Sequence, residues 1–553
     1  MKKLFVLFLI FFTSTILYAQ DWLKTNGKAI VDSKGDTILL RGMGLGGWWL
    51  PEGYMIHGGR NQSPTQIRQA IDSLIGSEKR KKFYEVYERN HCQKVDIDQL
   101  AKWKFNSVRL PMHYEFFAPK DKPGTFSDKG FTLIDSLITW CKANKMWIIL
   151  DMHAMPGGQS GEQIADAHGV AELWTDPANQ NLGVEIWTKI AKRYANEPVI
   201  AGYDLINETH WDLGNENTML REYFIRLTKS IREVDQKHII FIEGNRYATD
   251  FRGLTPVWDS NMAYSFHRYW NPNTKESIQS YLDLQEKTNV PLWLGETGEN
   301  SNTWFHDCIQ LVEEQGIGWA WWPLKKVETV AGPLQLLMPA SYKKVTDYWA
   351  GNGPKPTPEE SERGLMDMAN GLAFEKLIKQ PDVIDAMMRP DYSKKSKAYR
   401  FNRVPAIFPA TWFDLGRQGV AYNDSSYQFY GVGSDPKFYN TGRQLRNDGV
   451  DIGFSNDTAF PYEIMDTKPG EWVSYTFVNE NESRQFKLRI LARSESDAEV
   501  AAEFGNAEIG SGNIKAQKNT WITIGNFTAL PGFNKIKLIV KKGSPAFRAI
   551  HID

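Results

Sequence analysis

The sequence predicts an α/β chain in two parts, a closed (β/α)8 barrel followed by an all-β sandwich of the jelly-roll type. From about residue 37, eight short apolar runs alternate with amphipathic segments whose apolar residues recur at spacings of three and four. The runs are almost continuously apolar, as expected for parallel strands that are buried on both faces. After residue 404 the pattern changes to short strand-like segments separated by turn residues.

The first nineteen residues have the pattern of a secretory signal peptide. Lys2 and Lys3 precede an apolar run that ends at Ala19, which gives an n-region, an h-region and a cleavage site. We therefore expect residues 1–19 to be removed and the mature protein to be secreted or periplasmic, without membrane association. The alternative is a signal anchor, which the short apolar run disfavours because a membrane span needs about 20 apolar residues.

The composition limits the classes of ligand. The chain has 553 residues, more than one ordinary domain, and its formal net charge of -1 gives no reason to expect nucleic acid as a partner. Three cysteines without a CxxC pair argue against a disulfide framework and against a metal site. The 20 Trp, 22 Tyr and 29 Phe are the unusual feature, and a neutral ligand that stacks on aromatic rings would explain part of it.

The barrel is predicted within residues 22–403. Eight strands that are each followed by a helical segment favour a closed barrel over an open sheet. GMGLGG at 42–47 resembles a dinucleotide-binding turn, but WWLPEGYM follows it where a helix would be needed. An insert at about 331–400 is expected to contain loops and helices beside the barrel mouth. The eight runs are TILLRGMGL, NSVRLPM, MWIILDMH, VIAGYDLINE, HIIFIEGN, AYSFHRYW, PLWLGETGE and IGWAWWPL.

The sandwich is predicted at residues 405–553. Its strand-like segments include GEWVSYTFV, FKLRILARS, TWITIGNF and NKIKLIVKK, which are short, rich in β-branched and aromatic residues, and bounded by turn residues.

The ends of the barrel strands carry the chemistry, because reacting groups in such barrels come from the C-terminal ends of different strands. Glu208 and Glu296 end the fourth and seventh runs and can face each other across the mouth. Hydrolysis of a glycosidic bond needs such a pair, one neutral acid to protonate the leaving oxygen and one carboxylate to attack the anomeric carbon. The other polar strand ends are Arg109, His153, Asn207, Glu243, His267, Tyr269 and Trp322.

Seven segments resemble glycoside hydrolase family 5, the cellulase family, over most of residues 37–330. The resemblance implies a TIM barrel with Glu208 as general acid/base and Glu296 as nucleophile. GLGGWW and DMHAMPGGQSG are further similar to the exo-β-1,3-glucanase branch, although MPGGQSG departs from the GAPGSQNG expected there. The seven segments are RGMGLGGWW, FNSVRLPMHYEFF, WIILDMHAMPGGQSG, AGYDLINETHW, SFHRYW, PLWLGETGE and GWAWWPLKK.

Supporting roles are expected for the polar residues around this pair. Asn207 can hydrogen-bond the sugar 2-hydroxyl, a contact that strengthens in the transition state. Arg109 can keep Glu296 ionised through a charge-assisted bond, and Tyr269 can donate to the same carboxylate. A purely structural ion pair is the alternative for Arg109. For Glu243 we expect a supporting, hydrogen-bonded position.

The remaining predicted residues bind substrate. His153 and His267 would line the pocket as hydroxyl donors, although His153 fits a packed, hydrogen-bonded position equally well. Trp322 would form the floor beneath the reacting sugar, because indole faces stack on the C–H faces of sugar rings. Candidate sugar platforms are Trp49, Tyr54, Trp211 and Trp270, although Trp48, Trp49 and Trp270 could all belong to the barrel packing.

The C-terminal part resembles a family 6 carbohydrate-binding module in GRQGVAYND, NTGRQLRNDGVDIG, GEWVSYTF and AFRAIHID. It departs at IFPATWFD, where an acidic start would be expected, which puts a structural calcium in doubt. It also has Leu445 before Arg446 where a cleft tyrosine would precede the arginine. Sugar binding and a purely structural role both stay open, and deletion of 405–553 is expected to leave activity on soluble oligosaccharides largely intact.

The function predicted from the sequence is that of a secreted, monomeric, retaining β-glycoside hydrolase, acting on a β-glucan-type polysaccharide or oligosaccharide by double displacement without a cofactor. The alternatives are a β-mannan or xyloglucan hydrolase of the same fold and a non-catalytic carbohydrate-binding protein. A metal-dependent barrel hydrolase fits less well, since the chain has no HxH pair on the first strand and no HExxH.

Overall fold

The computed structural model describes residues 20–430 and 439–553. The predicted signal peptide, residues 1–19, lies outside the described residues. In the described ranges, no helix combines the length and the apolar character that a membrane span requires.

Eight parallel strands close into a barrel, in the order β10-β3-β4-β5-β6-β7-β8-β9. Each predicted apolar run contains one of them, which confirms the predicted barrel. The hairpin of β1 (Lys24–Asn26) and β2 (Ala29–Val31) packs with Leu23 and Ile30 against inward-facing residues such as Phe241 and Trp293. The barrel strands are β3 (Arg41–Gly44), β4 (Ser107–His113), β5 (Trp147–Ala154), β6 (Ile200–Asp204), β7 (Ile239–Glu243), β8 (Met262–His267), β9 (Leu292–Gly298) and β10 (Gly318–Trp322).

The helices of the barrel region start at recognisable sequence signals. Ser63 caps α2 by accepting from the backbone of Gln66, with Pro64 in the first turn, and Asp176 caps α6. The helices are α1 (Gly53–Ile56), α2 (Pro64–Ile75), α3 (Ser77–His91), α4 (Lys94–Lys102), α5 (Lys129–Asn144), α6 (Pro177–Tyr194), α7 (Thr218–Arg232), α8 (Asn245–Ala248), α9 (Gln279–Thr288) and α10 (Asn302–Glu313).

The segment after β10 packs beside the barrel mouth. Its Tyr342 hydroxyl donates to the carbonyl oxygen of Ile56 at 2.8 Å, and the buried Lys325 ammonium donates to Asp96 at 2.7 Å. The elements of this segment are β11 (Lys325–Val327), β12 (Leu334–Leu336), α11 (Ala340–Ala350), α12 (Pro358–Gly371), β13 (Ile378–Lys379) and α13 (Pro381–Met388).

Two sheets follow and enclose a separate apolar core, which confirms the predicted β-rich C-terminal part. One sheet has the order β14-β19-β24-β21-β22 with β16 beside β19, and the other has β17-β18-β25-β20-β23 with β15 beside β25. The strands are β14 (Asn402–Val404), β15 (Ala406–Pro409), β16 (Tyr422–Asn423), β17 (Ile452–Phe454), β18 (Tyr462–Ile464), β19 (Trp472–Asn479), β20 (Arg484–Arg493), β21 (Ala498–Phe504), β22 (Ala507–Ile514), β23 (Thr520–Ala529), β24 (Gly532–Lys542) and β25 (Ala546–Ile552).

Buried polar contacts, which we call the interdomain clamp, join the sandwich to the start of α10. The Asn447 amide donates to the Asn300 carbonyl at 2.8 Å, and the Asn302 amide donates to Asp448 at 3.0 Å. Asn300 also exchanges two hydrogen bonds with the backbone of Phe429, at 2.6 and 3.0 Å. Since α10 directly follows β9, the sandwich is fixed to the segment behind the strand that carries Glu296.

Candidate active site

Glu208 and Glu296 meet at the C-terminal mouth of the barrel. One carboxylate oxygen of each, together with a ring nitrogen of His267, lie within 4.8 Å of one another. The two side chains are 12% and 9% exposed, so both can reach a ligand in the mouth. This spacing is shorter than the roughly 6.5–9.5 Å of inverting enzymes and close to the roughly 5–5.5 Å typical of double displacement.

Glu208 is held by its backbone and by one imidazole. Its N–H donates to Glu243 Oε2 at 2.7 Å, and its Oε1 lies 2.6 Å from His267 Nδ1. Its φ of 33° lies in the left-handed region, where a residue with a side chain is strained by roughly 1–3 kcal/mol. The end of the segment DLINETHW is therefore a strained turn that points Glu208 into the mouth.

Glu296 accepts two hydrogen bonds on different oxygens. Arg109 Nη1 donates to Oε2 at 2.8 Å, and the Tyr269 hydroxyl donates to Oε1 at 2.5 Å. Burial raises the pKa of Glu296 and the charge of Glu208 adds to this, while His267 and Arg109 oppose it. Both donors favour the ionised carboxylate, which is the form that a nucleophile needs.

Arg109 is completely buried and serves several acceptors at once. Besides Glu296, its guanidinium lies 3.2 Å from Asp151 and Asp204 and 2.9 Å from Glu243. Asp151 and Asp204 are directly paired across β5 and β6, which explains why their side chains crowd on one side of the barrel. Arg109 thus pairs with the buried carboxylates of the barrel interior and also contacts Glu296 directly.

Two histidines share the charge of this cluster. His153 Nδ1 lies 2.7 Å from Asp151, and His267 Nε2 lies 3.2 Å from Glu243. Burial would raise the pKa of Glu243, but His267 and Arg109 outweigh it and lower that pKa to about 2. Burial also lowers the pKa of His267, yet Glu243 and the bond to Glu208 outweigh it and raise the pKa well above its ordinary value. Glu243 is therefore an ionised support beneath Glu208.

Three groups of side chains in the described ranges bring His and carboxylate atoms close enough to share a metal ion, and all three lie in the barrel. Two of the groups take part in the ion pairs described above. One group is Asp151 with Asp204 and Glu243, and the other is Glu208 with His267 and Glu296. In the third, His113 with Glu115 and Asp166, Asp166 accepts from Thr65 and Glu115 pairs with Arg68. These donor atoms form an ion-pair network.

Trp322 is buried beside the site, 2% exposed, and its role as the floor beneath the reacting sugar stays a prediction. Its ring stacks on His153 with centroids 5.4 Å apart and an angle of 5°, and its Nε1 donates to the Tyr54 hydroxyl at 2.8 Å. A Cβ on Gly46 would come within 2.5 Å of this ring, and one on Gly44 within 2.9 Å. Gly44 and Gly46 of GMGLGG are thus explained by the close approach of an indole.

Asn207 is buried between Arg109 and His153. Its Oδ1 accepts from Arg109 Nη2 at 2.8 Å, and its Nδ2 lies 3.4 Å from His153 Nε2. The predicted contact of Asn207 with a sugar 2-hydroxyl stays a prediction, as do the sugar contacts of His153 and His267.

The predicted sugar platforms divide into buried and open rings. Trp49 is 3% exposed and one face is covered by Phe116, at 4.6 Å and 13°, while it also lines a pocket with Trp48 and Tyr84; its role as a platform stays a prediction. Trp211 is half-buried beside Glu208, in a cleft that His210 and Tyr247 also line. Tyr54 and Trp270 are 39% and 43% exposed.

Two residues of the site escaped the sequence reasoning. Glu52 is 3% exposed, and burial, with repulsion from Glu296 and Glu299, raises its pKa to about 8. Gln159 donates to the carbonyl oxygens of His153 at 2.7 Å and Asn207 at 2.8 Å, so it holds the ends of β5 and β6 together. Glu52 lies in the segment LPEGYM and Gln159 in PGGQSG. A polar residue in a Gly-bearing segment was the signal that the sequence offered for each of them.

Comparison with known proteins agrees with this geometry. Residues 66–327 match the family Cellulase (glycosyl hydrolase family 5). A beta-xylosidase of Phanerodontia chrysosporium is 31% identical over 252 residues, which is 45% of this chain and 52% of that protein. Endoglucanase C of Acetivibrio thermocellus is 26% identical over 311 residues, 44% of this chain and 88% of that protein. A probable glucan 1,3-beta-glucosidase A of Aspergillus clavatus is 23% identical over 217 residues, 38% of this chain and 51% of that protein.

The fold and the site define a (β/α)8 barrel with two carboxylates facing each other at its mouth, an arrangement suited to glycosidic bonds. The matched region includes both glutamates, and the chain spans about half the length of two of the three relatives above. Within the barrel, residues 66–327 match the model of glycosyl hydrolase family 5.

Proposed function

We propose that this protein is a secreted, monomeric, retaining β-glycoside hydrolase that acts on a β-glucan-type polysaccharide or oligosaccharide without a cofactor. The observation that carries the proposal is the separation of Glu208 and Glu296, whose carboxylate oxygens lie within 4.8 Å of each other. An inverting enzyme needs roughly 6.5–9.5 Å between the carboxyl groups to admit a water.

In the first step, Glu296 attacks the anomeric carbon while Glu208 gives its proton to the departing glycosidic oxygen. A C–O bond to Glu296 forms as the glycosidic C–O bond breaks, and the aglycone leaves as an alcohol. Arg109 and Tyr269 hold Glu296 in position for this attack, since each donates to a different oxygen of the carboxylate.

In the second step, Glu208 acts as a base and takes a proton from water, whose oxygen attacks the same carbon and releases Glu296. Two inversions at one carbon give net retention. The supports of Glu208 suit this double role, because the Glu243 carboxylate holds its backbone and His267 contacts its side chain.

The substrate class is supported by the site and by the relatives. The aromatic residues at the mouth and the balanced charge of the chain suit a neutral sugar chain. Two of the relatives are described as an endoglucanase and a probable glucan 1,3-beta-glucosidase. Mannan and xyloglucan hydrolysis, and non-catalytic sugar binding, are the alternatives that the experiment must separate.

The test is a hydrolysis screen on purified β-1,3-glucan, β-1,4-glucan, mixed-linkage glucan, mannan and xyloglucan, with product chain lengths resolved and the first-formed anomer read by NMR. We expect release of β-configured products from a glucan, and their loss in Glu208→Gln and Glu296→Gln. An α-configured first product would contradict the retaining mechanism. Sugar binding without hydrolysis of any of the five would favour the non-catalytic alternative.

A further inference from the structure

A pocket of about 380 Å³ lies where the barrel mouth meets the sandwich, and both parts of the chain form its walls. Tyr54, Trp270 and Lys326 come from the barrel side, and Phe429, Tyr439 and Arg443 come from the sandwich. Trp270 and Phe429 meet edge to face with ring centroids 6.2 Å apart at 68°. The pocket thus has an aromatic wall that neither part of the chain provides alone.

The pocket is continuous with the catalytic residues. Tyr54 accepts a hydrogen bond from Trp322 Nε1 at 2.8 Å. Trp270 follows Tyr269, whose hydroxyl donates to Glu296, and the Tyr269 and Trp270 rings are 5.7 Å apart. A sugar chain that occupies the catalytic site can therefore extend into the pocket without leaving the protein surface.

The position of the pocket identifies which end of the substrate it would take. Its lining residues Glu299 and Lys326 follow Glu296 and Trp322 in the chain. The cleft lined by His210 and Trp211 lies instead on the side of Glu208. Tyr269, which contacts Glu296, neighbours Trp270 of the pocket, and the acid Glu208 lies beside the leaving group; we therefore assign the pocket to the non-reducing side of the reacting sugar.

The chemistry of the walls suits a neutral sugar ring. Glu299 is neutralised by Lys326, whose Nζ lies 2.5 Å from its carboxylate. The same ammonium lies 4.2 Å from the centre of the Tyr54 ring. Glu328 and Arg443 also line the pocket, and aromatic walls with a few placed polar groups are typical of sites that bind small ligands.

The sandwich side of the pocket is held in place by buried contacts. Asn300, of the interdomain clamp, fixes the backbone of Phe429 through both its amide N–H and its carbonyl oxygen. The Tyr439 hydroxyl donates to Asn447 at 2.9 Å, and Asn447 is itself bound to Asn300 and Asn302. These rings are therefore positioned before a ligand arrives, which lowers the entropy cost of binding.

We propose that the C-terminal sandwich is part of the substrate-binding cleft, where Phe429 and Tyr439 complete with Trp270 and Tyr54 a site for the sugar on the non-reducing side of the reacting one. The inference rests on the proposed function for the identity of the ligand. It assigns the sandwich a direct part in the selection of substrate length.

The experiment compares the full-length chain with Phe429→Ala on 4-nitrophenyl glycosides of glucose, cellobiose and laminaribiose. We expect kcat/KM for at least one disaccharide substrate to fall about tenfold, as for loss of one aromatic contact, and kcat/KM for the glucoside to change less than twofold. Trp270→Ala should reproduce this selectivity from the barrel side. Phe533→Ala, which removes a 69% exposed sandwich ring that does not line the pocket, is the matched control and should change neither value.

Equal losses on the monosaccharide and disaccharide substrates, or no loss on either, would overturn the inference while leaving the proposed function intact. If the wild-type chain cleaves none of the three and none of the five polysaccharides, the proposed function fails. The pocket is then judged by titrating cellobiose and laminaribiose into Glu296→Gln, with and without Phe429→Ala. Weaker binding to the double variant supports the pocket, and equal binding or no binding overturns it.

Discussion

Glu52 should make the stability of the protein fall as the pH rises. Burial raises its pKa from 4.5 to about 8, so between these values the folded protein keeps a proton that the unfolded chain releases. Unfolding becomes more favourable with increasing pH wherever the folded state holds more protons. The penalty is absent below pH 4.5, grows through this window and is complete above pH 8.

The size of this effect follows from the two pKa values. At about 1.4 kcal/mol for each tenfold change in an ionisation equilibrium, the difference is worth about 5 kcal/mol. Glu52→Gln keeps the shape of the protonated side chain and removes the titration. Its free energy of unfolding should therefore decline less than that of the wild type between pH 4.5 and 8, by up to about 5 kcal/mol.

The assay is urea unfolding followed by Trp fluorescence at several pH values across the window, for the wild type and for Glu52→Gln. Glu482→Gln, which changes an exposed glutamate of the sandwich that is not among the groups acting on Glu52, is the matched control and should keep the pH dependence of the wild type. Parallel wild-type and Glu52→Gln curves across the window would refute the reasoning.

Three further predictions concern the supports of the site. Gly46→Ala would put a methyl within 2.5 Å of the Trp322 ring, so it should lower stability by about 1–3 kcal/mol and cut kcat/KM more than tenfold. A variant that matches the wild type in thermal unfolding and turnover would contradict this. Asn447→Ala removes two buried hydrogen bonds of the interdomain clamp and should lower the free energy of unfolding by about 1–3 kcal/mol in chemical unfolding. A smaller loss of stability than in an exposed Asn→Ala variant, such as Asn481→Ala, would contradict this. Deletion of 405–553 should give a barrel that is inactive or insoluble, because the deletion exposes Asn302 and removes Phe429 from the cleft. A soluble barrel with wild-type activity on oligosaccharides would show that the clamp is dispensable.

The sequence was sufficient for the barrel because the signal is repeated. Each of the eight strands is a short apolar run, and a parallel strand that is buried on both faces must be apolar nearly throughout. The contacts of Glu296 with Arg109 and Tyr269 were accessible for the same reason, since residues at the C-terminal strand ends must converge on one mouth.

Residues outside this pattern were not accessible from the sequence. A tryptophan that stacks on Phe116, as Trp49 does, and one that offers an open face to sugar look alike in the sequence, so the sequence could not separate Trp49 from the open rings. The raised pKa of Glu52 depends on burial by distant segments. Asn447 contacts residues about 145 positions away in the chain, so no local pattern indicates it.

The clamp also changes the expected role of the C-terminal part. The sequence favoured a separable module whose removal leaves activity intact. Buried side-chain contacts from Asn300 and Asn302 to the sandwich argue instead for an integral partner, since removal of one side leaves buried polar groups without their partners. Whether the sandwich binds a structural calcium stays a prediction.

The central claim is that Glu296 is the nucleophile and Glu208 the acid/base, and azide tests it most directly. In Glu296→Ala the attacking group is missing, so added azide should enter from the vacated face and give a glycosyl azide of inverted configuration from an activated aryl β-glycoside. In Glu208→Ala azide should attack the glycosyl-enzyme and give the retained product, because Glu296 has already inverted the centre once. A retained azide from Glu296→Ala would mean that the roles are exchanged, and undiminished hydrolysis in either variant would contradict the account of this site.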